Sequence, residues 1–213
     1  LGVPGVGVNP LRGQNNVQGS ATMGCEPAKL TGAQSLEAGR ARHEREWGGA
    51  LPTRPRLSLP EMLEAAEAGR LKALVVVGYD ILLTMPNADA TARALAKLDA
   101  LIVLDLFFTE TARAAGTVFL PVASSFEKDG TFMNSERRIQ RVRQALARRG
   151  GCKTDGEVLC LLAERLGHGD GFRYADARAV WDEVRRVWPA AAGVSYARLE
   201  SGGLHWPCPS EEH

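Results

Sequence analysis

The sequence predicts an α/β fold built on a parallel sheet with flanking helices. Three observations carry this. Short, nearly continuous apolar runs lie at Leu71–Val77, Leu101–Leu104 and Thr117–Leu120. Helical patterns at 87–98 and 109–115 separate them, and strand–helix alternation at this spacing is the mark of parallel strands joined by right-handed crossovers. The runs are apolar on both faces of the strand period, as strands covered on two sides require.

The elements follow in order. Residues 1–33 are rich in glycine and polar side chains and show neither a helical nor a strand period, so a long loop is expected, and loops of that length are usually functional. Residues 34–50 are charged and suit a short helix. Ser58-Leu59-Pro60-Glu61 is a capping box, with Pro60 in the first turn where its missing N–H costs nothing. That helix runs through Met62, Leu63 and Ala66 to a stop at Gly69. Leu71–Val77 is the first strand, ended by Gly78. Asn87 to Leu98 is helical, with Ala88, Ala92, Leu95 and Leu98 on one face. Leu101–Leu104 is the second strand, Thr109 to Ala115 a short helix, and Thr117–Leu120 the third strand, stopped by Pro121. Phe132 to Val142 reads as extended. Thr154-Asp155-Gly156-Glu157 is a second capping box, opening a helix with Val158, Leu159, Leu162 and Leu166. Asp176 to Val187 is a further helix, with Val180, Trp181, Val184 and Trp188 on one stripe.

Bulk properties remove some classes of function. With 26 basic and 25 acidic residues the net charge is +1, which gives no electrostatic case for nucleic acid or membrane binding. No apolar run approaches the ~18 residues of a membrane span. Residues 1–24 lack the basic head and apolar core of a signal peptide. The four cysteines, Cys25, Cys152, Cys160 and Cys208, are scattered without a CxxC pair and read as free thiols of a reducing compartment, the cytoplasm. The four histidines, His43, His168, His205 and His213, are isolated and read as surface residues. The first residue is Leu1, which leads us to expect an internal piece of a longer chain.

Parallel sheets bind ligands beyond the carboxyl ends of their strands. Three polar clusters fall there: Gly78 to Thr84, Asp105 to Thr111, and Pro121 to Asn134. Carboxylates at such places accept from a ribose or a guanine edge. From spacing alone, capping of the next helix is the better reading of Asp80 and of Asp105. Gly2, Gly5 and Gly7 lack the preceding strand and order of a dinucleotide fingerprint. Arg12 is the sharpest local candidate. It lies among the side-chain amides of Gln14, Asn15 and Asn16, and a guanidinium offers a bidentate fork to a small carboxylate. Composition alone favours an arginine on a solvated loop.

Gly7-Val8-Asn9-Pro10-Leu11-Arg12-Gly13-Gln14-Asn15-Asn16-Val17-Gln18-Gly19 closely resembles a stretch of molybdopterin-dependent formate dehydrogenase catalytic subunits. So do 105–112, 127–132 (Glu-Lys-Asp-Gly-Thr-Phe), 135–140 and 206–209, collinear over essentially the whole chain. The resemblance implies a Rossmann-like third domain of that fold over 51–170, binding molybdopterin guanine dinucleotide. It implies the tail of a cofactor domain with the active-site loop over 1–50, and a helical extension over 171–213. It implies formate oxidation to carbon dioxide at molybdenum or tungsten held by two such dinucleotides. An iron–sulfur cluster would sit in a preceding segment, and the partners would be electron-transfer subunits with iron–sulfur or flavin cofactors. Carried over residue by residue, Arg12 orients formate with Gln14 beside it. Asp80 and Thr84 bind the guanosine end of one dinucleotide, Asp155 reads its guanine edge, and Asp105 and Thr109 lie in the neighbouring loop. No metal ligand is matched, and the segment alone is expected to be inactive.

Departures from the family pattern are visible. Gly78-Tyr79-Asp80-Ile81 stands where the family usually has Gly-Glu-Asn/Asp-Pro, Leu104 where a glutamine is common, Thr22 for an aspartate and Gly156 for a tryptophan. They suit a divergent member or a decayed gene copy. A non-catalytic nucleotide-binding or assembly module is the alternative.

Overall fold

The computed structural model describes residues 2, 3, 7–9 and 11–212; Pro10 of the loop motif and His213 lie outside them. The chain divides into two compact units. One comprises Leu57–Lys128 and Gln144–Phe172, the other Leu1–Arg56, Asp129–Arg143 and Arg173–His213.

The first of these is the predicted α/β unit. Its strands are β3 (Ala73–Val77), β4 (Ala100–Asp105) and β5 (Val118–Pro121), parallel and in the order β3–β4–β5. Helices α3 (Leu59–Glu67), α4 (Ile81–Thr84), α5 (Ala88–Leu95) and α6 (Glu110–Ala115) supply one face of the core. Leu63, Ala66, Ile81, Leu95 and Ala112 pack there on Val76, Leu101 and Val103. Both capping boxes form as read: Ser58 with Glu61 opens α3, and Thr154 with Glu157 opens α7 (Asp155–Arg165). Gly69 takes a left-handed φ of 68°, as the stop after α3 requires.

The expectation of two-sided burial holds only at the sheet centre. Leu104 is buried, but Val75 and Val77, on the face of edge strand β3 turned away from those helices, are 38% and 43% exposed.

The second unit holds α1 (Val17–Thr22), the short antiparallel pair β1 (Lys29–Leu30) and β2 (Gln34–Ser35), and α2 (Leu36–Trp47). It also holds an antiparallel sheet of β6 (Gly130–Met133), β7 (Arg138–Val142) and β8 (Leu204–His205), with α8 (Ala177–Val187) and α9 (Tyr196–Leu199). Met133, Ile139, Trp181, Trp188, Val194 and Leu199 form its core.

Three local expectations are corrected. The stretch 1–33 contains α1 and β1. The α8 stripe is turned, so that Trp181 and Val187 are buried while Val180 is exposed. His43, read as a surface residue, is fully buried: its Nδ1 lies 2.9 Å from Gly39 O and its ring meets Trp47 edge-on at 4.9 Å. It falls on the side of α2 that turns inward, where neighbouring Gly39 leaves room for Leu30.

Candidate functional site

In the α/β unit the candidate residues line one rim, the carboxyl end of the sheet. The backbone fixes their order. Gly78 N donates to Leu104 O (2.8 Å), Val122 N to Asp105 O (3.2 Å), and Ala123 N to Lys153 O (2.9 Å), while Val122 pairs in parallel with Lys153. The Asp80 corner, the Asp105 corner, the 121–128 loop and the start of α7 therefore succeed one another along the rim.

Asp80 is committed to the fold. Its side chain caps α4 by accepting from Leu83 N (3.3 Å). It also accepts from Glu110 N (2.9 Å), Thr111 N (3.2 Å) and Thr111 Oγ1 (2.6 Å). Three of these donors reach Oδ1 and one reaches Oδ2, so Oδ1 is wholly taken up by the fold while Oδ2 accepts a single bond. Burial pushes its carboxyl up, but the donors from Thr111, Glu110 and Leu83 outweigh this and hold it below the usual carboxylate range. Thr84 donates to Asp80 O through its hydroxyl. The structure thus joins Asp80, Thr84 and the first turn of α6 in one cluster. Thr109 caps α6, accepting from Ala112 N (3.2 Å), and among the described residues its hydroxyl donates to no protein group.

Asp105 and Asp155 are different. Asp105 Oδ1 accepts from Leu106 N (2.6 Å) and lies 3.5 Å from Phe107 N; Oδ2 has no protein partner among the described residues. Asp155, at the first position of α7, pairs with Lys128 Nζ through Oδ2 alone. Lys128 was inside a quoted motif but received no role. It stands 27 residues from Asp155, and no sequence period connects them. Tyr79, Leu106, Phe107 and Phe108 stand exposed along the same rim and offer flat apolar surface.

In the other unit, Arg12, Gly13, Gln14 and Asn15 line a cleft of about 290 Å3 with Gln18, Met133, Asn134 and Ser135. Asn16 fastens the loop, its Oδ1 accepting from Met133 N (2.9 Å). A Cβ at Gly19 would lie 2.1 Å from that oxygen, so a larger residue there would have to move the Asn16 side chain off Met133 N. Arg12 Nη2 donates to Gln18 Oε1 (3.2 Å), and Gln18 Nε2 to the Oγ1 of buried Thr22 (3.0 Å). Among the described residues the guanidinium makes no other hydrogen bond. The i, i+4 spacing of Gln18 and Thr22 could have shown this support once a helix was assigned there.

Among the described residues no three His, Cys, Asp or Glu side chains converge as a metal site, the cysteines are free, and no helix is long and apolar enough to cross a membrane. The rim does fit a nucleotide tail by the chemistry of its donors and acceptors: open carboxylate oxygens, a hydroxyl proton, an ammonium and exposed aromatic faces.

A mixed α/β protein with a helix-flanked parallel sheet is therefore the class. Its backbone superimposes on acetylene hydratase from Pelobacter acetylenicus with a TM-score of 0.60 at 17% identity, covering 81% of this chain and 24% of that one. Residues 1–165 match the family model described as molybdopterin oxidoreductase, and the chain belongs to that family. It is 42% identical over 214 residues to the "F420-dependent formate dehydrogenase subunit alpha" of Methanocaldococcus jannaschii, covering 100% of this chain and 31% of the relative. It is 44% identical over 209 residues to "F420-dependent formate dehydrogenase 1 subunit alpha" of Methanococcus maripaludis, covering 98% and 31%. The chain thus spans about a third of the length of these relatives.

Proposed function

We propose that this chain is the part of a formate-oxidising molybdopterin oxidoreductase that holds the nucleotide tail of molybdopterin guanine dinucleotide and supplies the arginine that orients formate. The observation that carries the reading is 42% identity, over the whole of this chain, to an F420-dependent formate dehydrogenase subunit alpha.

Residues 51–170 bind the nucleotide tail, residues 1–50 bring the active-site loop, and residues 171–213 lead into the next segment. On the rim, Asp155 accepts from the guanine edge, and Asp105 and the Thr109 hydroxyl face the ribose and phosphates. Thr84 and Asp80 shape the corner that receives the guanosine. Arg12 donates two parallel N–H bonds to the formate oxygens, which fixes the direction of the C–H bond and balances the carboxylate charge. Gln14 lines the same cleft beside it. Formate gives up two electrons and a proton and leaves as carbon dioxide. When bound, the cofactor with its molybdenum or tungsten supplies the two-electron redox chemistry. An iron–sulfur cluster and partner subunits carrying iron–sulfur or flavin groups would supply the onward electron transfer, in the cytoplasm.

In the complete, loaded enzyme, Arg12→Ala is expected to lower kcat/KM for formate about 100-fold, the scale of a lost charge-paired contact. Unchanged formate kinetics would overturn the role of Arg12. This chain alone is expected to show no formate-dependent reduction of an artificial acceptor, and measured turnover would refute that.

A further inference from the structure

We propose that Gln18 is a positioning residue for formate: anchored on the buried Thr22, it holds the Arg12 guanidinium in the orientation that presents two parallel N–H donors to the cleft. This rests on the reading of Arg12 as the formate-orienting arginine and adds what fixes its direction.

Arg12 needs such a holder. Its side chain is exposed, in a stretch without helix or strand. A long side chain in that setting samples many rotamers, and a guanidinium that turns freely binds a carboxylate without fixing its direction. Among the described residues one hydrogen bond restrains it, from Arg12 Nη2 to Gln18 Oε1 (3.2 Å).

Donor and acceptor chemistry sets the direction of each bond that follows. A guanidinium only donates, so the Gln18 amide turns its oxygen to Arg12 and its amino group away. That amino group requires an acceptor, and Thr22 Oγ1, one helical turn on, lies 3.0 Å from Nε2. Thr22 is 1% exposed. Its carbonyl accepts from Gly32 N (2.6 Å) and Ala33 N (3.1 Å), which ties the anchor through the backbone to the turn between β1 and β2. Gln18 itself lines the cleft with Arg12 and Gln14.

The contact leaves the fork usable. Nη2 carries two hydrogens, one on each bidentate edge of the guanidinium, so a single bond to Gln18 leaves the other edge whole. Gln18 is also uncharged, and the guanidinium keeps its full charge for the substrate. A carboxylate in the same place would hold the guanidinium as firmly but neutralise it. An aliphatic side chain would leave the charge and lose the direction.

The test has two readouts. In this chain, NMR nitrogen relaxation gives the order parameter of the Arg12 Nε–H bond. It should exceed about 0.7 in the unsubstituted chain and in Thr22→Ser, and fall below about 0.6, the range of a mobile group, in Gln18→Leu and Thr22→Val. Valine has nearly the shape of threonine, and the Thr22 carbonyl contacts do not depend on the side chain. In the complete, loaded enzyme, the first turnover after rapid mixing with formate gives a limiting rate and a half-saturating concentration per loaded site. Gln18→Leu should lower the limiting rate about 10-fold with half-saturation nearly unchanged, since charge remains and orientation is lost. Gln18→Glu should do the reverse, raising half-saturating formate about 10-fold with the rate nearly kept, because its carboxylate competes for the guanidinium. Thr22→Val should follow Gln18→Leu at about 3-fold, and Thr22→Ser should restore the rate. A glutamine that merely supports the fold would not split rate from affinity in opposite directions. An order parameter unmoved by Gln18→Leu, or identical kinetics in Gln18→Leu and Gln18→Glu, overturns the role of Gln18. Formate kinetics unchanged in Arg12→Ala, with an order parameter that still responds to Gln18→Leu, overturns instead the formate reading of Arg12 and leaves the holding contact standing.

Discussion

Asp80 and Asp155 are two aspartates on the rim of one sheet, and they do different work. Asp80 follows β3 and accepts four bonds from two helix starts. Asp155 follows the strand-like residue Lys153 and accepts one, from Lys128. A carboxylate at the end of a parallel strand can serve the fold or a ligand, and position does not separate the cases. The number of acceptor positions already filled does. The comparison assigns Asp80 to building the corner and leaves Asp155 with acceptor positions open to a ligand.

Substitutions can break or sharpen this contrast. The largest effect on stability is expected from Asp80→Ala, which strands three backbone N–H groups and the Thr111 hydroxyl; we expect a loss of about 3 kcal/mol in urea denaturation. Next is Thr111→Val, at a fully buried position. It removes a donor to Asp80 and the acceptor of Leu82 N (3.0 Å), at a cost of about 2 kcal/mol.

The contribution of Asp80 should also depend on pH. Its folded pKa is lowered, so the folded state binds its proton less readily than the unfolded chain does. The stabilisation is therefore complete above the unfolded value near 4 and lost as pH falls through the lower folded value. The stability gap between the natural chain and Asp80→Asn should narrow on acidification below about pH 4, and a gap constant down to pH 2 would contradict the assignment. Thr154→Ala, which removes the cap beneath Asp155, should cost about 1 kcal/mol. Asp155→Asn should cost less than about 1 kcal/mol, as a partly exposed pair does, while altering base selectivity. A stability loss at Asp155 equal to that at Asp80 would abolish the distinction between them.

Much of the α/β unit was legible because its signals are local. The runs now seen as β3, β4 and β5 are apolar, and each capping box closes within four residues. The first turn of the Arg12 region was not legible. Val17–Thr22 carries Gly19 and no apolar stripe, and the segment is tied down by Asn16 bonding to Met133, 117 residues away. The inward turn of His43 depends on packing around Gly39 in the same way. At the site, the resemblance singled out Asp155 and Arg12. Lys128 and Gln18 emerged only with coordinates, because what marks them is the partner each touches. The commitment of Asp80 to the fold was equally hidden, since the backbone donors Glu110 N and Thr111 N come from α6, some thirty residues on.

Amide hydrogen exchange of this chain with and without GDP tests the division of labour most directly. The account predicts new protection over residues 124–128 and 154–158, with the amides of Leu83, Glu110 and Thr111 unchanged because Asp80 already holds them. Protection appearing at 80–84 and 109–111, with none at 124–128 or 154–158, would place the base at Asp80 and contradict the account.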